Sequence, residues 1–135
     1  TPVAFAPVGE SNYLVDKHGR VLDEDDGSRD GLVALTGVLG PVSPGYFLDD
    51  AAYGWGLRVL LALGDISRPK VTEINVQEAD CTLILDDGCK VLMGSEDSLA
   101  HERVSLLEAI LADLAKEGTL ARQIDLRFDK PTVRR

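Results

Sequence analysis

The stretch CTLILDDGCKVLMG, residues 81–94, decides the fold of this chain, because it predicts two strands joined by a tight turn. Apolar residues recur on both sides of the Asp-Gly pair at 87–88, which is a strong signal for a β-hairpin. Another strand pattern, VTEINV at 71–76, comes shortly before it and is rich in β-branched residues. These segments predict a run of three strands.

A helix is predicted before this run of strands. Asp49 or Asp50 can cap it, and Gly64 is placed to end it after about Leu63. Its expected buried face on a helical wheel consists of Tyr53, Leu57, Leu60 and Leu61. Trp55 falls nearly opposite that face, and we expect it to be covered by the preceding loop rather than exposed as a binding anchor.

A longer helix is predicted after the hairpin, from about Asp97 to Glu117, with Gly118 at its end. Apolar residues recur along it at spacings of three and four, which is typical of a helix with one buried side. The expected stripe consists of Ala100, Val104, Leu107, Leu111 and Leu114, widened by Leu106 and Ile110.

Shorter strands are predicted on the N-terminal side. PVAFAPV at 2–8 and NYLVDKHGRVLD at 12–23 form a small meander with a tight turn at 16–19. LVALTG at 32–37 predicts a further strand or extended segment.

The chain closes on a strand with one buried and one solvated face, because Ile124, Leu126 and Phe128 alternate with charged residues. Pro131 lacks an N–H, so a regular ladder is expected to stop there. The last two arginines are then expected to form a flexible charged tip.

The order of these segments predicts the fold class. Strands, a helix, three strands, a helix and a last strand are typical of an α+β domain with two main helices on a mostly antiparallel sheet. No repeat or linker divides the sequence, so residues 1–135 are expected to form one domain with a C-terminal edge strand. Such an open edge suits the addition of a partner strand.

Charge argues against two classes of partner. The net charge of −9 leaves no broad basic surface for phosphates, so neither nucleic acid nor anionic lipid is expected to bind this segment. Basic residues nevertheless outnumber acidic ones at 122–135. That bias fits either protection of an edge strand against aggregation or attraction of an acidic partner. Since Thr1 is not a methionine, the chain is expected to be a piece of a longer protein.

The residue types used in catalysis do not converge in the sequence. Cys81 and Cys89 lack the spacing of a zinc site and are expected to be free thiols that face Gly94 and Asp86 across a two-residue hairpin loop. The two histidines lie on a turn and on the polar side of a helix. We therefore expect no enzyme activity, catalytic residue, metal or cofactor.

Carboxylates are the remaining candidates for chemistry. The acidic loop at 23–30 fails the EF-hand register, because Gly27 comes one residue early and Ala34 replaces the bidentate glutamate. Asp86 and Asp87 lie at the predicted hairpin turn, where nothing separates their pKa values. An extracytoplasmic hydrolase or sugar-binding domain that uses these acidic loops is the alternative function. A third interpretation is an α+β domain whose last strand is purely structural.

TPVAF, YLVDKHGRVL, LVALTG and LILDDGCKVLMG are followed by the long helix and then by IDLRF. In order and approximate spacing, this succession resembles the extracytoplasmic β domain of the bacterial cell-division protein FtsQ, called DivIB in some lineages. The resemblance covers nearly the whole chain. Phe128 departs from the family's tyrosine and lacks its hydroxyl, and Pro131 and Thr132 replace small residues.

The resemblance implies a non-enzymatic scaffold of the bacterial division machinery, the divisome. Family members carry an N-terminal membrane helix and a POTRA domain before the β domain, and neither lies in this chain. Outside the cytoplasmic membrane, at the septum, the β domain recruits the division proteins FtsB and FtsL, and part of FtsB adds as a strand. By similarity, the partner-binding residues expected here are Arg127, Phe128, Asp129, Lys130, Thr132 and Val133.

Overall fold

The computed structural model describes residues 2–8, 10–24, 32–37, 45, 51–64, 70–77, 80–94, 100–127 and 130–135. The strands within these ranges are β1 (Pro2–Val8), β2 (Ser11–Asp16), β3 (Val21–Glu24), β4 (Val33–Thr36), β5 (Val71–Gln77), β6 (Asp80–Leu85), β7 (Lys90–Gly94), β8 (Gln123–Asp125) and β9 (Thr132–Arg134). The helices are α1 (Ala51–Ala62) and α2 (Ala100–Glu117). None of the helices in these ranges is long and apolar enough to cross a bilayer.

All strands of the described ranges belong to one sheet, in the order β3-β2-β1-β4-β5-β6-β7-β8-β9. Most neighbours are antiparallel, whereas the pairs β1–β4, β4–β5 and β7–β8 are parallel. The predicted α+β class with a mostly antiparallel sheet and two main helices is confirmed.

Both helices cover the same face of the sheet, and the topology explains why. α1 connects the parallel strands β4 and β5, and α2 connects the parallel strands β7 and β8. Both crossovers advance the chain in the same direction along the sheet, so the right-handed rule places both helices on one side. The core therefore lies between this face and the two helices, which also contact each other.

The stripe predicted for α2 is confirmed, because its buried residues are Ala100, Val104, Leu107, Leu111 and Leu114. The face predicted for α1 is partly wrong. Leu57 and Leu60 are buried as expected, but Leu61 is 47% exposed and Trp55 is buried. Gly56 explains the rotation, since a Cβ there would come within 2.7 Å of a methyl of Val76 on β5, so the glycine side of α1 lies closest to the sheet. The proposed caps Asp49 and Asp50, and the side chain of Tyr53, lie outside the described residues.

The β6–β7 hairpin has a three-residue loop rather than the predicted two-residue loop. Leu85 donates its N–H to the carbonyl of Cys89 at 2.9 Å, so Cys89 faces Leu85 and not Asp86. Gly88 closes the loop with a φ of 89°, as in a type I turn followed by a left-handed residue. An irregularity between Cys81 and Thr82 then shifts the register by one. The predicted pairing of Cys81 with Gly94 is thereby confirmed.

The closing strand is shorter than predicted, and the chain turns back. Asp125 ends β8, because its carboxylate accepts the backbone N–H of Arg127 at 3.0 Å and bends the chain there. After Pro131 the chain returns as β9, antiparallel to β8. The expected flexible tip is also wrong, since Arg135 donates a side-chain hydrogen bond to Glu117 at 3.0 Å.

Candidate partner-binding edge

β9 forms one edge of the sheet, and among the described residues none pairs with its outer side. Lys130, Thr132 and Arg134 are exposed, whereas Val133 is half-buried and packs against the core. The predicted C-terminal edge strand therefore exists, but it consists of Thr132–Arg134 instead of the segment that starts at Ile124.

The backbone bonds of β8 determine which groups of β9 point outward. The carbonyl of Arg122 accepts from β7, and the N–H of Leu126 donates to β7. Backbone N–H and C=O groups alternate in direction from one residue of a strand to the next. The backbone groups of Ile124 therefore also face β7, and those of Gln123 and Asp125 face β9. These two residues pair with Arg134 and Thr132. Val133, between them, therefore directs both its N–H and its C=O away from the sheet.

Pro131 limits this edge on one side. Pro131 has the same orientation as Val133, but it offers only a carbonyl because its nitrogen carries no hydrogen. Arg135 is bound through its side chain to Glu117, in an ion pair whose side chains are both more than half exposed. The edge thus offers one residue with a complete donor and acceptor pair, and it lies in the basic part of the chain.

Arg127 follows β8, and Asp125 holds its side chain in a defined orientation. Its Nε and Nη2 donate to the two carboxylate oxygens at 3.0 and 2.8 Å. These side-chain hydrogen bonds lower the pKa of Asp125, although burial acts in the opposite direction. The same bonds raise the pKa of Arg127. The Arg127 side chain remains 44% exposed while Asp125 orients it.

Arg127 also belongs to a cluster around the end of β7. We call this cluster the Gly94 junction, and it consists of Trp55, Met93, Gly94, Arg103 and Arg127. Gly94 has a φ of 80°, and a Cβ there would lie 2.9 Å from Arg103 Nη1 and 3.3 Å from Arg127 Cγ. Trp55 donates its indole N–H to the carbonyl of Gly94 at 2.6 Å, and Arg103 donates to the carbonyl of Met93. Two side chains therefore satisfy carbonyls at the point where β7 ends.

Trp55 is 1% exposed, which confirms that it is covered and is not an exposed anchor. Its hydrogen bond to Gly94 was not predicted from the sequence, and the loop expected to cover it, at 46–50, lies outside the described residues. A glycine that ends a strand was the available signal, because such a position often needs a positive φ.

The structure brings four of the expected partner-binding residues into one region. Arg127 follows β8, Lys130 precedes β9, and Thr132 and Val133 lie within β9. Phe128 and Asp129 lie outside the described residues.

Both cysteines are free, as predicted, and both are buried. Burial, followed by the charge of Asp80, raises the pKa of the Cys81 thiol to about 12. Burial, followed by the charge of Asp87, raises that of Cys89 to about 11. Thiolates are therefore scarce at neutral pH, and neither thiol is activated for nucleophilic chemistry.

The acidic candidates do not form a site within the described ranges. Asp86 and Asp87 are exposed on the hairpin loop. Most of the acidic loop, residues 25–30, lies outside the described residues. Across the part of the chain that the structure describes, no three His, Cys, Asp or Glu side chains come together to hold a metal ion.

Comparison with known proteins adds the family. The sequence profile described as "Cell division protein FtsQ/DivIB, C-terminal" matches residues 4–127. The chain belongs to the FtsQ/DivIB family. The resemblance seen in the sequence is thereby confirmed, and the chain is a domain of a cell division protein. The FtsQ/DivIB match ends at Arg127, so β9 lies beyond it.

A solved structure has the same fold. It is the major extracytoplasmic domain of the trans isomer of the bacterial cell division protein DivIB from Geobacillus stearothermophilus. The TM-score is 0.57 at 17% sequence identity, and the match covers 85% of this chain and 93% of the DivIB chain. No curated protein sequence matches this FtsQ/DivIB domain.

Proposed function

We propose that this domain is a non-enzymatic scaffold of the divisome that recruits FtsB- and FtsL-like partners by strand addition at β9, for septum formation. The observation that carries the proposal is the outward N–H and C=O of Val133 on an exposed edge strand. Strand addition needs main-chain groups of this kind, because they supply the ladder that an extended partner segment completes.

The geometry of the edge favours a short ladder with a defined register. A partner residue opposite Val133 makes two backbone hydrogen bonds, and the carbonyl of Pro131 accepts one more. The nitrogen of Pro131 carries no hydrogen and cannot donate to the partner strand, so the ladder stops at Pro131. Side chains of Thr132 and Arg134, both exposed, then supply contacts on one face of the added strand.

Charge favours an acidic partner segment. Lys130 precedes β9 and Arg134 lies on it, in a domain that is otherwise acidic, and Arg127 follows the neighbouring strand β8. Exposed charges of this kind raise the rate of association with a segment of opposite charge and orient its approach. Asp125 holds Arg127 in place, which reduces the conformational entropy that a partner carboxylate must overcome when it binds there.

We further propose that the domain acts on the extracytoplasmic face of the bacterial cytoplasmic membrane, at the division septum. The family membership supports this location, and so does the extracytoplasmic origin of the similar DivIB domain. Tethering to the membrane would use segments outside this chain.

Two substitutions at Val133 test the strand addition. Val133→Pro removes the outward N–H without removing a donor of the β8–β9 ladder, whereas Val133→Ala keeps the N–H and shortens the side chain. We expect an FtsB-like peptide from the same organism to lose binding to the proline variant and to keep most of its affinity for the alanine variant. Isothermal titration calorimetry measures both affinities, and thermal unfolding confirms that both variants fold.

Lys130→Glu tests the electrostatic part of the proposal. We expect weaker binding of the same peptide with a nearly unchanged melting temperature, because Lys130 is exposed. Failure of the peptide to bind the unmodified domain would contradict strand addition, and so would equal binding to a truncated domain that lacks residues 128–135.

A further inference from the structure

A second concave surface lies where the C-terminal end of α2 meets the β6–β7 loop, and Ile124 at its floor pairs with Val133 of the edge strand. It is a cavity of about 300 Å³, which is at the lower end of the range for small ligand sites. Buried residues form its floor, including Leu85, Cys89, Leu111 and Ile124. A cavity of this size holds one large side chain rather than a cofactor.

Apolar surface continues out of this cavity onto Leu120. This side chain lines the cavity and is 73% exposed, the highest value among the large exposed apolar residues of the described ranges. Ala115, which is also exposed, lines the same opening. When an apolar group fills the cavity, the side chain of Leu120 beside it can still contact a second apolar group. A peptide, which carries several side chains, uses both contacts, whereas an isolated small molecule uses only one.

The rim of the cavity carries net negative charge. Asp86 and Asp87 line it and are exposed on the hairpin loop, and Lys70 contributes one opposing positive charge. The partner-binding edge at β9 is basic by contrast. The two surfaces therefore favour segments of opposite charge, because complementary potentials select the partner.

We propose that this cavity is a second docking site, which binds one large apolar side chain of a polypeptide partner that carries basic residues beside it. The apolar side chain fills the cavity as a buried anchor, and the flanking cations face Asp86 and Asp87. The proposal does not depend on strand addition at β9, because the two surfaces share no exposed residue.

A model peptide tests this proposal directly. The probe is the blocked heptapeptide Gly-Gly-Lys-Phe-Lys-Gly-Gly, titrated into the ¹⁵N-labelled domain and followed by amide chemical shifts. We expect saturable shifts at Cys89, Leu120 and Ala121. The peptide in which both lysines are replaced by glutamate should bind about threefold to fivefold more weakly, since exposed charge pairs contribute up to ~1 kcal/mol.

Two alanines of α2 provide a matched pair of variants. Ala115→Phe places a ring at the opening of the cavity and should abolish the saturable shifts. Ala112→Phe makes the same change at an exposed position of the same helix that does not line the cavity, and binding should persist. Thermal unfolding of both variants shows whether the fold is intact.

Matched pairs of variants also test the negative charge at the rim and the apolar contact at Leu120. Asp86→Asn should weaken binding of the lysine peptide, whereas Asp113→Asn, an exposed carboxylate of α2 outside the cavity, should not. Leu120→Ser should weaken binding, whereas Leu61→Ser on α1 should not.

Four results would overturn the proposal. One is the absence of saturable shifts at the cavity amides with the lysine peptide. Another is equal binding by the Ala115→Phe variant. The third is binding of octylammonium at the cavity without binding of the peptide, which would identify a site for small amphiphiles instead. A concentration-dependent self-association removed by Ala115→Phe would also overturn it, in favour of a second copy of this chain.

Discussion

The Gly94 junction and the β9 edge differ in how their backbone groups are satisfied. At the junction, Trp55 and Arg103 donate to the carbonyls of Gly94 and Met93, and the indole is 1% exposed. At the edge, Val133 directs its N–H and C=O away from the sheet, and no described residue pairs with them. The junction is a closed part of the domain, whereas the edge keeps backbone groups available for another chain.

Because of this difference, we expect substitutions in the junction to change the stability of the fold and substitutions at the edge to change partner binding. Substitutions in the junction leave buried groups without partners, and such groups cost free energy of folding. Substitutions at the edge remove groups that water already satisfies, so their effect is expected on partner binding. Arg127 belongs to the junction, because its side chain packs against Gly94, and it is linked to the edge through Asp125, which pairs with Thr132 of β9.

Gly94→Ala should have the largest effect on folding. An alanine at φ 80° is strained, and its Cβ would push Arg103 from the carbonyl of Met93. Together these effects should lower the free energy of unfolding by about 2–4 kcal/mol, measured by urea denaturation. Gly88→Ala is the control, because its φ is 89° but no atom lies within 4 Å of its Cβ. Equal losses in the two variants would mean that the junction is not tightly packed.

Trp55→Phe should have the next largest effect. Phenylalanine keeps most of the ring but cannot donate to the carbonyl of Gly94, which is buried. An unsatisfied buried carbonyl should cost about 1–3 kcal/mol, measured by circular dichroism during urea denaturation. If water replaces the indole N–H, the loss should instead be near zero, and the junction would be more open than its contacts indicate.

Much of the fold could be predicted from the sequence, because periodicity reports burial over long segments. The stripe of α2 from Ala100 to Leu114 is an example, since each residue of that stripe faces the same core. The hairpin was also predictable, although its loop length was not. A left-handed Gly88 serves a two-residue and a three-residue loop equally well, so the dipeptide does not determine the register.

Two features could not be predicted, for different physical reasons. β9 has three residues, which is too few for an alternating pattern, and Pro131 suggested an end rather than a return. The orientation of α1 depends on the close approach of Gly56 to Val76, which is a tertiary contact without a local signal. The candidate partner-binding residues came from resemblance to a family, and the position of two of them, Thr132 and Val133, on a separate edge strand became visible only in three dimensions.

Asp125→Asn should have a smaller effect that depends on pH. The hydrogen bonds from Arg127 lower the pKa of Asp125 in the folded state. The stabilisation is therefore fully present above the unfolded pKa of about 3.9 and is lost as the pH falls through the folded value. The melting temperature of the unmodified domain should exceed that of the variant at neutral pH, and the difference should shrink below about pH 4. A difference independent of pH would indicate lost packing instead of a lost charge.

Arg135→Ala should change stability least. Its ion pair with Glu117 spans 3.0 Å, but the two side chains are 58% and 53% exposed, so solvent screens their interaction. The free energy of unfolding should change by no more than about 0.5 kcal/mol. If this arginine helps to attract an acidic partner to the edge, association of the partner peptide should slow at low ionic strength and not at high ionic strength. Stopped-flow measurements at two salt concentrations distinguish the cases, and Arg58→Ala, an exposed arginine on α1, controls for the loss of one positive charge.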